Sequence, residues 1–300
     1  MSFNQIVKKK FDKNILNNIK LSNYSWFNLG GPAEYFFRPD DKKQLIEFCE
    51  ENKKNKIKIT ILGAGSNTLI RDNGVKGVVI KLGRSFSDIR LIDEEIIEVG
   101  AAALDKKVSN FALENGIGDL EFLSCIPGSI GGAIVMNSGC YGDDISKVLV
   151  SINTINILNG EENEIKRDEI EFFYRGTNLQ TNFIITSAKL KGKLKSKELV
   201  KKKQNEFMSK KKLSQPSQIK TCGSTFKNLN NKKAWEIIKQ TGCDNFKEGD
   251  AAISKKHCNF FVNNGKAKSS DIEKLINKVK QTVSDKAGVN LELEIKIIGE

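Results

Sequence analysis

The run IPGSIGGAIVMNSGCYG, residues 126–142, constrains this chain more than any other stretch. It opens with one of only four prolines, continues through Gly128, Gly131, Gly132, Gly139 and Gly142, and carries no charged side chain. Glycine loses more conformational freedom on ordering than any other residue, so an apolar segment rich in it is costly to order. Two readings suit it. One is a buried turn between packed elements. The other is a loop whose backbone approaches a flat or phosphorylated ligand and donates N–H groups to it.

A second glycine loop, Gly63-Ala64-Gly65-Ser66-Asn67, directly follows the apolar stretch KITIL. A dinucleotide fingerprint would need another glycine where Thr68 stands, and TLIRDNG is a poor helix start. A Rossmann nucleotide site is therefore disfavoured. Taken alone, GAGSN is either a tight turn or a phosphate cradle.

At 300 residues the chain exceeds a typical single core, so two or three domains are expected. Its net charge of +12 suits nucleic acid, a membrane surface or phosphate-rich small ligands. Much of the excess is lysine in runs such as 51–58 and 189–212, which read as solvated faces, so the charge argues weakly for nucleic acid. Cys49, Cys125, Cys140, Cys222, Cys243 and Cys258 form no CxxC pair and lack zinc spacing to the one histidine, His257. They read as reduced thiols, and no structural metal is expected. No apolar run has the length of a membrane span, and the basic N-terminus lacks an export signal's apolar core. A cytoplasmic protein is expected.

Periodicity places strands at 33–38, 57–62 and 75–82, with a helix at 40–53 capped by Asp40. Strands at 89–92 and 96–99 precede a helix at 104–115 that stops at Gly116. Strands at 148–158 and 182–190 flank an Asn159–Gly160 turn signal. A lysine-rich helix at 196–213 leads to the last part. That part reads as a strand, a helix at 232–241, strands within 251–262, a helix at 270–286 and a strand at 291–298.

The two glycine loops, in this order and about sixty residues apart, resemble the flavin-binding domain of the vanillyl-alcohol-oxidase/para-cresol-methylhydroxylase superfamily. Within it the chain resembles the UDP-N-acetylenolpyruvoylglucosamine reductase family, nearly end to end. The further motifs are YSWFNLGGPA (24–33), FFYRGTNL (172–179), CGSTFKN (222–228), KHCNFFVN (256–263) and LELEIKIIG (291–299). The short segment between Arg175 and Ser224 is similar to the family's shorter type, which lacks an extra tyrosine-bearing loop. The resemblance implies an α+β flavoprotein. A two-lobed FAD domain (1–82 and 83–195) would precede a smaller α+β substrate domain (196–300). It implies noncovalent FAD, with Gly63, Gly65, Ser66, Asn67, Pro127, Gly128, Ser129, Gly131 and Gly132 around the cofactor. It implies NADPH as co-substrate, a UDP-sugar as substrate, and no nucleic-acid or membrane partner. Covalent attachment through histidine, used elsewhere in the superfamily, would need His257, which falls outside the flavin domain.

The implied reaction moves hydride from NADPH to FAD, then from flavin N5 to C3 of the enolpyruvyl ether, with a proton delivered to C2. Three residues carry it by resemblance. Arg175 would stabilise the enolate, since a guanidinium binds a carboxylate bidentately and stays charged. In isolation it reads as a surface arginine beside two phenylalanines. Glu294 would help polarise the substrate carboxylate. In isolation Glu292, Glu294 and Lys296 read as one polar face of a strand. Ser224 would be the proton donor, although a Gly-Ser turn is commonplace. Tyr174, Lys227, Asn228 and Asn259 are implied substrate contacts. Leu293 and Leu229 stand where the family commonly has proline, and Lys296 where it has arginine. Position 296 thus keeps its charge but loses the fork. Two other readings remain at this point: another FAD-linked oxidoreductase of the superfamily acting on a small alcohol or sugar, and a basic nucleic-acid-binding protein.

Overall fold

The computed structural model of the chain describes residues 10–229 and 232–300; the basic N-terminal residues 1–9 lie outside them. The chain forms two compact units. The first comprises residues up to 17 with 35–64 and 77–211, and the second 18–34, 65–76 and 212–300. Residues 18–34 and 65–76 thus group with residues 212–300, far from them in sequence.

The first unit is built on a five-stranded sheet ordered Glu162–Lys166, Leu149–Asn156, Phe183–Lys191, Ile96–Gly100, Ile89–Asp93. All its neighbours run antiparallel. Ile97, Val99, Ile152, Ala188 and Leu190 point from it into a core shared with Val108 and Ala112 of the helix Asp105–Glu114. The strand Leu149–Asn156 alternates only in part because its register with Phe183–Lys191 shifts twice, between Leu149 and Ser151 and between Asn153 and Thr154. Each shift turns the next side chain to the other face. The expected turn at Asn159–Gly160 is present: Gly160 has φ 80° and donates to the Asn156 carbonyl at 2.8 Å.

The helix Lys42–Asn55 begins two residues later than expected. Its cap is Asp41, which accepts from the Gln44 N–H at 2.8 Å, and not Asp40, whose own N–H donates to the Gln44 side chain. The helix buries Leu45, Phe48 and Cys49, and the Phe48 ring meets those of Phe37 and Phe11 at 4.4 and 5.7 Å. Burying each such ring stabilises by about 1.5–3 kcal/mol.

In the second unit a three-stranded antiparallel sheet, Lys247–Glu248, Ala251–Ile253 and Phe261–Asn263, packs with the helices Ala234–Gln240 and Ser269–Ala287. The longer helix buries Ile272, Leu275, Ile276, Val279 and Val283, one apolar face at helical spacing. Asp72 accepts from the N–H groups of Ser269 and Ser270 at 2.8 and 2.9 Å, and Gly288 closes the far end with φ 65°. Two expectations shift here. Only Lys296–Ile298 of the expected strand 291–298 is a strand, pairing in parallel with Thr68–Ile70. Residues 292–294 instead bond to residues 225–227 around a single bridge, Phe226 to Leu293. Thr68–Ile70 was not anticipated as a strand, because its partner lies at the other end of the chain.

Candidate active site

In the first unit the glycine-rich run is not all loop, since Ile130–Val135 forms a short helix. The run is seated on the segment before the helix Asp105–Glu114. Ile130 donates to the Ala103 carbonyl at 3.0 Å, Gly131 to Ala101 at 2.9 Å, and Asp105 donates back to Gly128 at 3.2 Å. A Cβ at Gly131 would stand 3.1 Å from that of Ala101, and one at Gly128 would stand 2.6 Å from Asp105 Oδ2. Those two glycines answer to the protein's own packing. The Ile130 and Gly131 N–H groups are already engaged, so the expectation that the run's amides serve an anion does not extend to them.

Gly63 and Gly132 differ. Both are exposed, and a Cβ at either would meet only Ser129 Oγ, at 3.2 and 3.8 Å. The start of the first glycine loop and the middle of the second therefore lie together over Ser129, beside the exposed Pro127. This is bare backbone, open to a ligand that lies along it, and it fits a cofactor pyrophosphate.

Asp105 is a residue that sequence reasoning missed. Its side chain is wholly buried beneath Gly128, and neither carboxyl oxygen makes a well-formed hydrogen bond among the described residues. Burial raises its pKa well above the carboxylate range, and the Gly128 amide offsets this only in part. In the sequence it is an ordinary acidic residue in a helix's first turn.

Tyr174 and Arg175 form the two-residue turn of a hairpin whose strands are Phe172–Phe173 and Gly176–Thr177. Arg175 adopts φ 59°, a region that side chains other than glycine, asparagine and aspartate rarely occupy. Its Nη2 donates to the Gly139 carbonyl at 3.0 Å, and its guanidinium lies 5.0 Å from the Tyr174 ring centre. Asn137 Nδ2 donates to the Phe173 carbonyl at 3.2 Å, and Thr177 Oγ1 to the Val135 carbonyl at 3.3 Å. Three bonds thus clamp the arginine hairpin to the end of the glycine-rich run. A backbone strained at this arginine, and held by neighbours, is the pattern of a functional residue. Asn137 and Thr177 were not legible as parts of a site.

In the second unit Gly65, Ser66 and Asn67 pack on residues 24–26. A Cβ at Gly65, where φ is 70°, would fall 1.8 Å from the Tyr24 carbonyl oxygen, so no other residue fits. Trp26 donates to Gly65 at 3.0 Å. Asn67 Nδ2 donates to the Glu294 carbonyl at 3.1 Å, and the Lys296 N–H donates to Asn67 at 2.9 Å.

The segment around Ser224 is held from both sides. Ser224 bridges to Phe260, and Thr225 donates to the Asn259 carbonyl at 2.7 Å. On the other side Glu294 donates to Thr225 at 2.9 Å and Lys227 to Glu292 at 2.9 Å. The half-buried Ser224 and Glu294 side chains therefore stand on adjoining backbone segments.

Asn259 is 2% exposed, and both ends of its amide are used on Phe226: Oδ1 accepts from the N–H at 2.9 Å and Nδ2 donates to the carbonyl at 2.8 Å. Asn228 Oδ1 accepts from the Ala234 N–H at 3.0 Å, at the start of the helix Ala234–Gln240. Lys227 Nζ lies 3.5 Å from the exposed Glu292 carboxylate. His257 packs edge-on against Phe260, its ring centre 4.7 Å away, and accepts from the Asn259 N–H; burial lowers its pKa. Thr225 Oγ1 is buried with no hydrogen-bond partner among the described residues.

Comparison with known proteins assigns both parts. Residues 33–165 match the family described as FAD binding domain. Residues 215–298 match UDP-N-acetylenolpyruvoylglucosamine reductase, C-terminal domain. The UDP-N-acetylenolpyruvoylglucosamine reductase of Pelagibacter ubique is 46% identical over 99% of this chain and 100% of its own. That of Orientia tsutsugamushi (strain Ikeda) is 42% identical over 94% of each. The crystal structure of the Thermus caldophilus enzyme superposes with a TM-score of 0.82 at 29% identity, over 95% of this chain and 98% of that one. With near-complete coverage at that identity, and the glycine loops, the arginine hairpin and the Ser224 segment in place, the chain belongs to the UDP-N-acetylenolpyruvoylglucosamine reductase family.

Proposed function

We infer that the chain is an FAD-dependent oxidoreductase that reduces UDP-N-acetylenolpyruvoylglucosamine to UDP-N-acetylmuramate with NADPH, a step in peptidoglycan precursor synthesis. The observation that carries the residue assignment is the double-sided anchoring of Ser224, with Glu294 on the neighbouring segment. Bound FAD supplies the two-electron carrier that accepts hydride from NADPH and delivers it to the substrate. Gly63, Pro127, Ser129 and Gly132 would hold the cofactor noncovalently, Gly128 and Gly131 letting the backbone of the first unit close up beneath them, and Gly65 is assigned to the same cofactor. Ser66 and Asn67 complete the first loop.

The protein's task is to stabilise the enolate and place a proton. Arg175 is assigned to the carboxylate of the enolpyruvyl group, where a fixed cation helps more as negative charge builds. Its strained backbone and bond to Gly139 fix the fork before substrate arrives. Glu294 is assigned to polarising that carboxylate, and Ser224 to delivering the proton to C2. Tyr174 and Lys227 are assigned to the substrate. Asn228 shares that duty with its bond to Ala234, and Asn259 acts by holding the Ser224 segment. We keep the division into two flavin lobes and a substrate part as a functional one, and place the protein in the cytoplasm without nucleic-acid partners. Among the described residues no helix is long and apolar enough to cross a membrane.

Anaerobic stopped-flow on Ser224→Ala tests the central assignment. Its flavin should be reduced by NADPH at the native rate. Re-oxidation by substrate should slow by about 10²–10⁴-fold, the contribution of a positioned general acid. Thr225→Val, which removes the neighbouring buried hydroxyl, should leave both half-reactions intact. Slowed reduction with normal re-oxidation in Ser224→Ala would make the residue an NADPH contact and not a proton donor.

A further inference from the structure

Two neighbouring strands end beside the start of the first glycine loop. Ile59–Ile61 and Val75–Ile80 run parallel, with Ile61 opposite Ile80, and the Leu62 N–H donates to the Ile80 carbonyl at 2.9 Å. Gly63 and Lys81 therefore leave these strands side by side, at their carboxyl ends. Val78, Val79 and Ile80 are wholly buried, and Lys81 is the first polar side chain after them. Its own N–H donates to the Phe37 carbonyl at 3.0 Å, which fixes its backbone from the other side. The side chain is half-buried, its stem leaving an apolar strand end and its head reaching the surface.

That head is engaged with the glycine loop: Lys81 Nζ donates to the Gly63 carbonyl. Gly63 is exposed, and a Cβ there would meet only Ser129 Oγ, as one at Gly132 would. The ammonium is thus bonded to the backbone of the open patch that the two glycine loops form over Ser129. A bare carbonyl oxygen on such a patch would turn partial negative charge toward a phosphate. An ammonium bonded to it covers that charge and sets a full positive charge on the same stretch of backbone. An ammonium has three donors, so one bond to a carbonyl does not exhaust it. Lysine binds phosphate in this way, as a point charge. Burial first, and then the charge of Arg38, the residue after Phe37, lower the Lys81 pKa. Both disfavour the ammonium, and an anion beside it would offset both.

We propose that Lys81 is a cofactor-binding residue whose ammonium, seated on the Gly63 carbonyl, pairs with the FAD pyrophosphate over Gly63, Ser129 and Gly132. The proposal rests on the reading of those three residues as part of the cofactor path. It adds a division of labour: the glycines supply room, and Lys81 supplies the charge.

Titration of the flavin-free full-length protein with FAD, followed by flavin fluorescence, tests it. Lys81→Gln keeps a donor for the Gly63 carbonyl and loses the charge. It should bind FAD about 10–10²-fold more weakly than the wild type, the range of a hydrogen bond to a charged group. Its affinity should also depend less on salt. Lys81→Arg keeps the charge and should restore most of the affinity. Riboflavin, which lacks the phosphates, should bind the wild type and Lys81→Gln alike. A lysine that only braces the loop would instead leave Lys81→Gln native toward FAD, or weaken FAD and riboflavin equally, and either result would overturn the proposal. Should Lys81→Gln fail to fold, acetylation of the wild type decides. Bound FAD should protect Lys81 from acetic anhydride, as mapped by peptide mass, and an unprotected Lys81 would overturn the proposal. A wild type that binds no FAD would remove the cofactor reading as well, whereas native FAD affinity in Lys81→Gln would remove the proposal alone.

Discussion

Asn259 offers the most direct test of how this fold prepares its chemistry. Its amide is 2% exposed and satisfies both main-chain groups of Phe226, at 2.9 and 2.8 Å. Asn259→Ala would leave that N–H and that carbonyl buried and bare. Each such group costs about 1–3 kcal/mol, so about 2–6 kcal/mol of stability should be lost. Asn259→Asp separates the two bonds. A neutral carboxyl can still accept from the Phe226 N–H and donate to its carbonyl, whereas a carboxylate would point charge at the carbonyl inside a closed site. The folded-state pKa of that Asp should therefore exceed its unfolded value. Stability should be near native below the unfolded pKa and fall as pH rises, by about 1.4 kcal/mol per unit, until the folded pKa is reached. Urea unfolding at a series of pH values measures this. Ser224 lies two residues from Phe226, so stopped-flow on Asn259→Ala should show slowed substrate re-oxidation with native flavin reduction. A loss below about 0.5 kcal/mol in Asn259→Ala, the size of a neutral surface change, would refute the clamp. So would equal slowing of both half-reactions.

Three further outcomes are expected. Gly132→Leu adds a side chain where the fold leaves room, so unfolding should be unchanged while FAD retention, read from flavin absorbance after gel filtration, falls by on the order of 10²-fold; full occupancy would remove Gly132 from the cofactor path. Arg175→Lys keeps a charge but loses the planar fork, so the substrate-dependent half-reaction should slow on the order of 10²-fold or more with flavin binding intact. Asp105→Asn should be neutral or stabilising, with its advantage over the wild type growing as pH rises above the ordinary carboxylate range. The native carboxyl's raised pKa means that folding opposes its ionisation there, and parallel thermal melts at pH 5 and 8 would show no difference if Asp105 were ionised in the fold.

The architecture was legible wherever structure is made locally. The helix Ser269–Ala287 announces itself by apolar spacing, and the Asn159–Gly160 hairpin by its turn residues. Boundaries slipped where two chemically equivalent residues compete, as with Asp40 and Asp41, since only the backbone decides which side chain reaches Gln44. The long final strand was over-read because an alternating pattern reports a buried and an exposed face, not a hydrogen-bonding partner. Leu291 and Ile295 are buried and Glu292 and Lys296 exposed, yet residues 292–294 bond to an irregular segment. The grouping of residues 18–34 and 65–76 with residues 212–300 was not legible, because it joins residues far apart along the chain. Nothing in a short apolar triplet such as Thr68–Ile70 names so distant a partner.

The same distinction divides the candidate site. Motifs display reactive groups: a guanidinium in FFYRGTNL, a hydroxyl in CGSTFKN, bare backbone in GAGSN and IPGSIGG. What makes those groups usable is supplied by residues of ordinary type whose partners are remote. Asn137 and Thr177 pin the hairpin of Arg175, Asn259 holds Phe226, and Asn67 takes the Glu294 carbonyl. An asparagine in a sequence is as consistent with a surface loop as with a clamp. Only the burial of both ends of its amide separates the two. The glycines carry the converse lesson. Gly65 and Gly131 look alike in sequence to Gly63 and Gly132, yet a Cβ at Gly65 would strike the Tyr24 carbonyl and one at Gly131 the Ala101 residue, while one at Gly63 or Gly132 would meet only Ser129 Oγ, at 3.2 and 3.8 Å. A ligand-binding glycine is therefore recognised by the absence of protein where its side chain would be, and that can be read only from the folded chain.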